Sequence, residues 1–268
     1  MNDFNLFIQL WDLYPEGEPL LTSTSQLLPV RYKQQPAMLK IALIEEEQRG
    51  GELMVWWHGQ GAARILAHEK NAFLMERAVG SKSLRDLVAQ GQDNEASRIA
   101  CGVVQQLHTA RNPSVSLPTL IPLSTWFHSL EQAAAHTGGI LIRSLAAARD
   151  LLSNSLDHVV LHGDIHHGNI LDFDQRGWLA IDPKGLLGER GFDYANLFCN
   201  PDYQTVTTQG RLQKQVTIIA EAAQLERRRL LKWILAYAGL SAAWHLEDGS
   251  SPELALHVAE IASSTLGS

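Results

Sequence analysis

Apolar residues in the first quarter of the chain fall in short runs and single alternations, whereas from about Ser81 they recur every three or four positions. The first rhythm belongs to strands and the second to helices, because side chains alternate across a strand but return to one helix face after about 3.6 residues. LLTSTSQLLPVRY (Leu20–Tyr32) reads as strand-like flanks around a small polar turn. AMLKIAL (Ala37–Leu43) is a strand with Met38, Lys40 and Ala42 on one face and Leu39, Ile41 and Leu43 on the other. EEEQRGGELMVWW (Glu45–Trp57) predicts a helix whose acids suit its positive N-terminal end, although Gly50 and Gly51 weaken it. RILAH and FLMER, joined by Glu69-Lys70-Asn71, predict a hairpin. Later, Ala96, Ile99, Ala100, Val103 and Leu107 form one helical stripe, and Leu231, Ile234, Leu235, Ala238 and Ala242 another. The order of elements predicts an α+β chain with a small β-rich lobe and a larger, mainly helical one. RNPSVSLPTLIP (Arg111–Pro122) is a Pro/Ser-rich connection within the helical part and not a domain boundary.

Composition agrees with a folded chain: 268 residues, 45% hydrophobic and 19% charged, are enough to bury a sizeable core. The formal charge of -7 disfavours non-specific binding to nucleic acid or an anionic membrane, and mildly attracts cations. Cys101 and Cys199 stand alone in apolar settings, which predicts buried free thiols and no CxxC metal site. The N-terminal segment has no basic region, its apolar run is broken by Asn5, Gln9 and Asp12, and no run is long enough to cross a bilayer. The expectation is a cytoplasmic protein.

One stretch concentrates polar chemistry. HGDIHHGNIL (His162–Leu171) carries three histidines, an aspartate, an asparagine and two glycines. A short hairpin signal follows, with Asp174 and Gly177 in its turn. If Phe173 lies opposite Trp178, Asn169 falls opposite Asp182, with Cβ atoms roughly 4.5–5.5 Å apart. Two oxygen donors would then meet in outline as a hard-cation site, although a one-residue slip of register would undo that pairing. Asp164 precedes Asn169 by the spacing D-x-x-x-x-N of the kinase catalytic loop. H-x-D-x-H-H is also compatible with a fragment of a metal hydrolase, but the remaining histidines sit singly, without ligand spacing. GQGAAR at Gly59 lacks a third glycine and does not make a dinucleotide motif.

LHGDIHHGNIL followed by GWLAIDPKGLLGERGFDYANLF resembles the signature of the aminoglycoside phosphotransferase family, most closely its streptomycin 6-phosphotransferase and hydroxyurea-kinase branch. The match is strongest from Val160 to Pro201 and extends more loosely from TSTSQLLPV through MLKIAL, RGGELMVWW and FLMERAVG to AYAGLSAAW. The resemblance implies a two-lobed protein-kinase-like fold, with residues 1–77 as nucleotide-binding lobe and 78–268 as catalytic and acceptor-binding lobe. It implies ATP and Mg²⁺ as cofactors and a cationic aminocyclitol such as streptomycin as acceptor. Asp164 is then the catalytic base or hydroxyl-orienting group, and Asn169 and Asp182 hold the metal. Lys40 contacts the phosphates, with Glu47, or alternatively Glu52, as its ion-pair partner. Thr22, Ser23, Thr24 and Ser25 stand where the family turns over the phosphates, though ordinary turn composition explains them equally well. Glu76 and Ala78 would bond the adenine edge through their backbone. His162 is implied to be structural, with His166 and His167 near the acceptor or solvent. Asp193 anchors the catalytic loop, and Lys184 either touches a phosphate or is exposed. Glu247 and Asp248 are weak candidates for binding the cation. A kinase of an endogenous alcohol, a catalytically silent nucleotide-binding module and a metal-dependent hydrolase remain as alternatives.

Overall fold

Six strands before residue 77 form one antiparallel sheet: β1 Tyr14–Pro15, β2 Leu20–Leu21, β3 Ser25–Tyr32, β4 Gln35–Ala42, β5 Ile65–Glu69 and β6 Ala72–Glu76. Their order is β1-β3-β4-β6-β5, with β2 also paired to β3. This is a computed structural model, and it describes residues 4–110, 112 and 114–267. Arg111 and Pro113 of the Pro/Ser-rich connection therefore lie outside the described residues, as do the first three.

The alternation of β4 divides the small lobe into two faces. On one, helix α1 (Phe4–Leu10) packs Phe4 and Phe7 into a core with Leu28, Val30, Leu39, Ile41 and Leu74. On the other, Lys40 pairs across strands with Phe73, beneath helix α2 (Glu45–Trp57). The hairpin of β5 and β6 closes through the two residues Lys70 and Asn71, with Glu69 opposite Ala72. The two glycines that weaken α2 as an isolated helix have a tertiary reason. A Cβ on Gly51 would come within 2.4 Å of the Phe73 ring, and one on Gly50 within 2.2 Å of the Pro183 carbonyl oxygen. Only a bare backbone lets α2 sit down on both the sheet and the loop after residue 182.

The larger part begins with α3 (Leu84–Ala89), capped by the Ser83 hydroxyl, and α4 (Asp93–Thr109). There follow β7 (Ile121–Pro122), α5 (Leu123–Trp126), α6 (His128–Thr137) and α7 (Ile140–Ser153). Strands β8 (His158–Leu161), β9 (Ile170–Asp172), β10 (Trp178–Ala180) and β11 (Leu186–Glu189) carry the polar loop and its hairpin. The chain ends in α8 (Phe192–Ala195), α9 (Tyr203–Val206), α10 (Arg211–Ala223), α11 (Arg227–Glu247) and α12 (Glu253–Gly267). Strand β11 runs parallel to β7 and antiparallel to β8, while β9 and β10 pair only with each other in their sheet. Helix α11 is the spine: its predicted stripe is buried throughout, and Gly239 lets α7 approach so closely that a Cβ would meet Ser144 at 2.2 Å. No helix among the described residues is long and apolar enough to cross a membrane.

The assumed hairpin register is corrected by one residue. Trp178 pairs with Asp172, not Phe173. The turn is tighter than assumed: Phe173 N–H donates to Gly177 O at 2.8 Å around a 3₁₀ turn at Asp174–Arg176, with Gly177 at φ 73°. Asn169 therefore lies across from Ile181, whose N–H donates to the Asn169 carbonyl at 2.9 Å.

Candidate active site

The polar loop is held from behind by one buried carboxylate. Asp193 Oδ1 accepts from Gly163 N–H at 2.7 Å, and Oδ2 accepts from His162 N–H at 3.0 Å and from His108 Nε2 at 2.9 Å. His162 is fully engaged as well: its Nε2 donates to Ile181 O at 2.9 Å and its Nδ1 accepts from Asp164 N–H at 3.2 Å. Burial lowers its imidazole pKa, so the neutral tautomer that these bonds require is the stable one. With both nitrogens committed, His162 has no lone pair for a metal. Gly163 sits at φ 88°, and a Cβ there would meet Leu186 at 2.9 Å. Glycine thus allows the chain to reverse at the point where the Asp164 carboxylate enters the cleft.

Asp164 is oriented by two amides. Asn196 Nδ2 donates to its Oδ1 at 2.9 Å, and Asn169 Nδ2 donates to its carbonyl at 3.0 Å and its Oδ2 at 3.3 Å. That fixes the other end of Asn169: its Oδ1 faces away from Asp164 and accepts from no described residue. Asp182, one position past the hairpin pairing, has φ 64°, a backbone region disfavoured for residues with a Cβ. Despite the register shift, Asn169 and Asp182 line the same cavity. The reason is that backbone reversal, and not a cross-strand pair, brings them there.

Lys40 is the cationic centre of that cavity. It is 8% exposed, and its Nζ forms ion pairs with both Glu47 and Asp182. Between the two glutamates considered as its partner, the structure pairs Lys40 with Glu47; Glu52 instead accepts from Gln48 at 3.1 Å. Burial works to raise the Asp182 carboxyl, but Lys40 and then Lys184 outweigh it and hold it below the usual range. Asp182 therefore stays ionised, with one oxygen on Lys40 and the other unbonded among the described residues. Two oxygens of hard character, from Asn169 and Asp182, suit a divalent cation that takes few protein ligands and completes its shell with phosphate and water. No group of three or more His, Cys, Asp or Glu among the described residues is arranged to hold a metal by itself.

The cavity containing Lys40, Glu47, Asn169 and Asp182 has a volume of about 280 Å³ and is also lined by Thr22, Thr24, Ser25 and Met75. Thr22 Oγ1 organises the turn, accepting from Ser25 N–H at 2.9 Å and Thr24 N–H at 3.3 Å. Ser23 is exposed and is not part of the lining. Glu76 and Ala78 follow Met75 without lining the cavity. The Glu76 N–H is engaged by Arg64 O at 3.0 Å, and its carboxylate by Arg64 N–H and Arg176.

A second cavity of about 680 Å³ opens on the other side of Asp164. Glu46, Lys184 and Asn196 line it with Trp126, Tyr237 and Trp244, the aromatic rings meeting edge to face at 5.9 and 6.3 Å between centroids. The Trp126 indole N–H is buried without an acceptor among the described residues. Four expectations change. Glu247 and Asp248 do not line this cavity, and Glu247 accepts from Ser129 at 3.0 Å; Glu46 is the carboxylate that does. Of the two alternatives for Lys184, exposure is the one that changes: its side chain is largely buried, with Nζ 3.0 Å from Glu46. Burial of its ammonium is outweighed by Asp182, Glu46 and Asp164, so its pKa is raised. His167 faces neither acceptor nor solvent: it is buried, both ring nitrogens lack partners among the described residues, and burial pushes it down to about 4. Cys199 is only partly buried and lines the cavity.

Sequence reasoning missed Asn196, Glu46 and the aromatic wall. Only Asn196 carried a signal, standing one helical turn after Asp193 on α8. Glu46 looked like one of three equivalent helix-start acids, and nothing in the local pattern singled out the tryptophans.

The sequence matches the aminoglycoside/hydroxyurea antibiotic resistance kinase family over residues 10–249. It is 47% identical over 247 residues to streptomycin 3''-kinase of Klebsiella pneumoniae, covering 90% of this chain and 92% of that one. It is 26% identical to streptomycin 6-kinase of Streptomyces griseus, with 90% and 81% covered. Among solved structures, the fold is similar to a thermostable mutant of aminoglycoside phosphotransferase APH(4)-Ia in ternary complex with ADP and hygromycin B. That match has a TM-score of 0.65 and 12% identity, with 98% and 97% covered. The choline kinase of Cryptosporidium parvum has a TM-score of 0.61 at 14% identity, with 94% and 88% covered. The catalytic loop, the buried lysine pair and these matches along nearly the whole chain lead to one conclusion: the protein is a phosphotransferase acting on an alcohol group, and it belongs to the aminoglycoside/hydroxyurea antibiotic resistance kinase family.

Proposed function

We propose that the protein transfers the γ-phosphoryl group of ATP to a hydroxyl of streptomycin or a closely similar cationic aminoglycoside, at the 3'' position for which the relative at 47% identity is named. The observation that carries this reading is the position of Asp164. Its carboxylate lines the larger cavity, while Asn169, hydrogen-bonded to it, lines the smaller one beside Lys40 and Asp182. An acceptor in one cavity and a nucleotide in the other would meet at that carboxylate. The larger volume falls in the range of about 300–1,000 Å³ that holds a drug-sized ligand. Its carboxylates and aromatic faces suit ammonium or guanidinium groups.

In this mechanism residues 1–77 form the nucleotide lobe and 78–268 the catalytic and acceptor lobe. The adenine edge bonds the Glu76 carbonyl and the Ala78 N–H, because the Glu76 N–H is already engaged. The turn at Thr22–Ser25 covers the phosphates, and Lys40, steered by Glu47, contacts them. Asn169 and Asp182 would hold Mg²⁺, which when bound would screen the charge of the phosphates. The acceptor oxygen forms a bond to the γ-phosphorus while the bond from that phosphorus to the β–γ bridging oxygen breaks. The electron pair leaves with ADP, and the hydroxyl proton passes to Asp164, which Asn196 and Asn169 keep aimed. Base catalysis of this kind contributes about 10²–10⁴-fold.

The test is ADP release from Mg·ATP with a panel of aminoglycosides and metabolite alcohols, followed by assignment of the phosphorylated position by NMR. Streptomycin-dependent turnover, a 3''-phosphate and a loss of about 10²–10⁴-fold in Asp164→Ala are expected. Turnover confined to a metabolite alcohol would overturn the substrate, and tight nucleotide binding without any turnover would overturn the reaction.

A further inference from the structure

Two consecutive acids at the start of α2 face different cavities. Glu47 lies in the smaller one on Lys40, whereas Glu46 lines the larger one. Lys184 stands between them, its Nζ 3.0 Å from Glu46 Oε1 and 3.8 Å from Glu47 Oε1. Its backbone is fixed: Lys184 N–H donates to His162 O at 2.7 Å, and its carbonyl accepts from Arg49 Nε at 3.1 Å. The close seating of Gly50 on Pro183 locks α2 to this segment. Only the flexible stem of Lys184 is left to move, and its ammonium lines the same cavity as Asp164, two residues after Asp182. A cation held on Glu46 occupies the place that a cationic acceptor would want. A cation released beside Asp164 and Asp182 lies where charge develops during transfer.

Resting on the kinase reading above, we propose that Glu46 binds a cationic group of the acceptor by exchange with Lys184, and that the displaced Lys184 ammonium then contacts the phosphoryl group in transfer. The exchange replaces one ion pair by another, so little electrostatic energy is lost at Glu46. Lys184 acts on the phosphoryl group only when the acceptor is present. An interaction reserved for that state raises turnover instead of merely tightening nucleotide binding, and it keeps phosphoryl transfer to water low when no acceptor is bound. Glu46 is thereby the residue that selects a cationic acceptor, and Lys184 couples that selection to chemistry.

The experiment uses the full chain with Mg·ATP and streptomycin, and compares wild type, Glu46→Gln and Lys184→Met, with melting curves to verify folding. For Glu46→Gln, KM for streptomycin rises about tenfold or more, since a charge-assisted contact is lost, while KM for ATP shifts by less than about twofold. Hydrolysis of ATP without acceptor rises in the same variant, because Lys184 is no longer held. For Lys184→Met, kcat falls about tenfold or more while KM for streptomycin stays level or drops, its competitor at Glu46 being gone. Unchanged streptomycin KM in Glu46→Gln, or a Lys184→Met defect confined to KM for ATP, overturns the inference while wild-type turnover leaves the kinase reading standing. Absence of acceptor-dependent turnover in the wild type overturns that reading and the inference with it.

Discussion

Glu189 with Arg229 and Lys40 with Glu47 and Asp182 are both charged clusters set into buried surroundings, yet their oxygens are satisfied to different degrees. Glu189, 3% exposed, accepts four bonds. Arg229 Nε and the Trp233 indole reach Oε1 at 2.6 and 2.8 Å, and Arg229 Nη2 and Leu156 N–H reach Oε2 at 2.6 and 3.0 Å. Nothing is left over for a ligand. Around Lys40, by contrast, one Asp182 oxygen and Asn169 Oδ1 point into a cavity without a donor among the described residues. A saturated buried charge joins elements of the fold, whereas a buried charge with vacant oxygens is prepared for something that arrives.

That contrast can be broken by substitution. The largest effect on stability is expected for Glu189→Ala, which leaves Arg229 and the Trp233 indole without their acceptor. A loss of about 3–5 kcal/mol in urea unfolding is expected, with KM values of the folded fraction unchanged. Lys40→Met is expected to invert the pattern. kcat/KM for ATP falls about 10²–10³-fold, the scale for losing one preorganised charge donor. Stability falls less than in Glu189→Ala, because the Asp182 side chain is 36% exposed and water can solvate it, while buried Glu47 keeps the Lys184 ammonium 3.8 Å away. Equal stability losses in the two variants would abolish the distinction.

Smaller effects sharpen it. Gly50→Ala improves helix propensity by up to about 1 kcal/mol. Its Cβ would nevertheless lie 2.2 Å from Pro183 O, and overpacking of that kind costs about 1–3 kcal/mol. A net loss of about 1 kcal/mol is expected, with weakened ATP binding as the loop carrying Asp182 shifts. The gentlest probe is pH. Burial tends to raise the Glu189 carboxyl, but hydrogen bonds from Arg229, Trp233 and Leu156 outweigh it and hold it below its ordinary value of 4.5. A depressed carboxyl stabilises the fold fully above the unfolded value and loses that contribution as pH falls through the lower folded one. Unfolding free energy should therefore decline with acid below about 4.5, and Glu189→Gln should flatten the decline. An identical slope in the variant would place the acid sensitivity elsewhere.

Alternation and helical spacing were enough to read β4, the hairpin of β5 and β6 and the stripe on α11, and a run of acids marked the start of α2, because each signal lies within one short segment of chain. The spacing from Asp164 to Asn169 was legible for a similar reason: a short loop fixes its own geometry. The register of β9 and β10 was not legible, since a three-residue and a four-residue turn fit the same letters, and the bond from Phe173 to Gly177 decides between them. His167 was misread because a histidine in a polar loop looks solvated until the surrounding helices bury it.

The sequence by itself determined the strands and helices, the order of a sheet before a helical body, and the identity of the chemical groups in the polar loop, since these depend on residues near one another in the chain. Tertiary structure alone decided that Glu47 and not Glu52 meets Lys40, that Glu46 and Lys184 share the larger cavity, and that Trp126, Tyr237 and Trp244 form its wall. Lys184 meets Glu46 across more than a hundred positions of chain, as Trp126 meets Trp244, and even the short step from Lys40 to Glu47 crosses from a strand to a helix. Their geometry comes from close seating at Gly50, Gly51 and Gly239, and no local pattern of hydrophobicity or charge encodes such an approach.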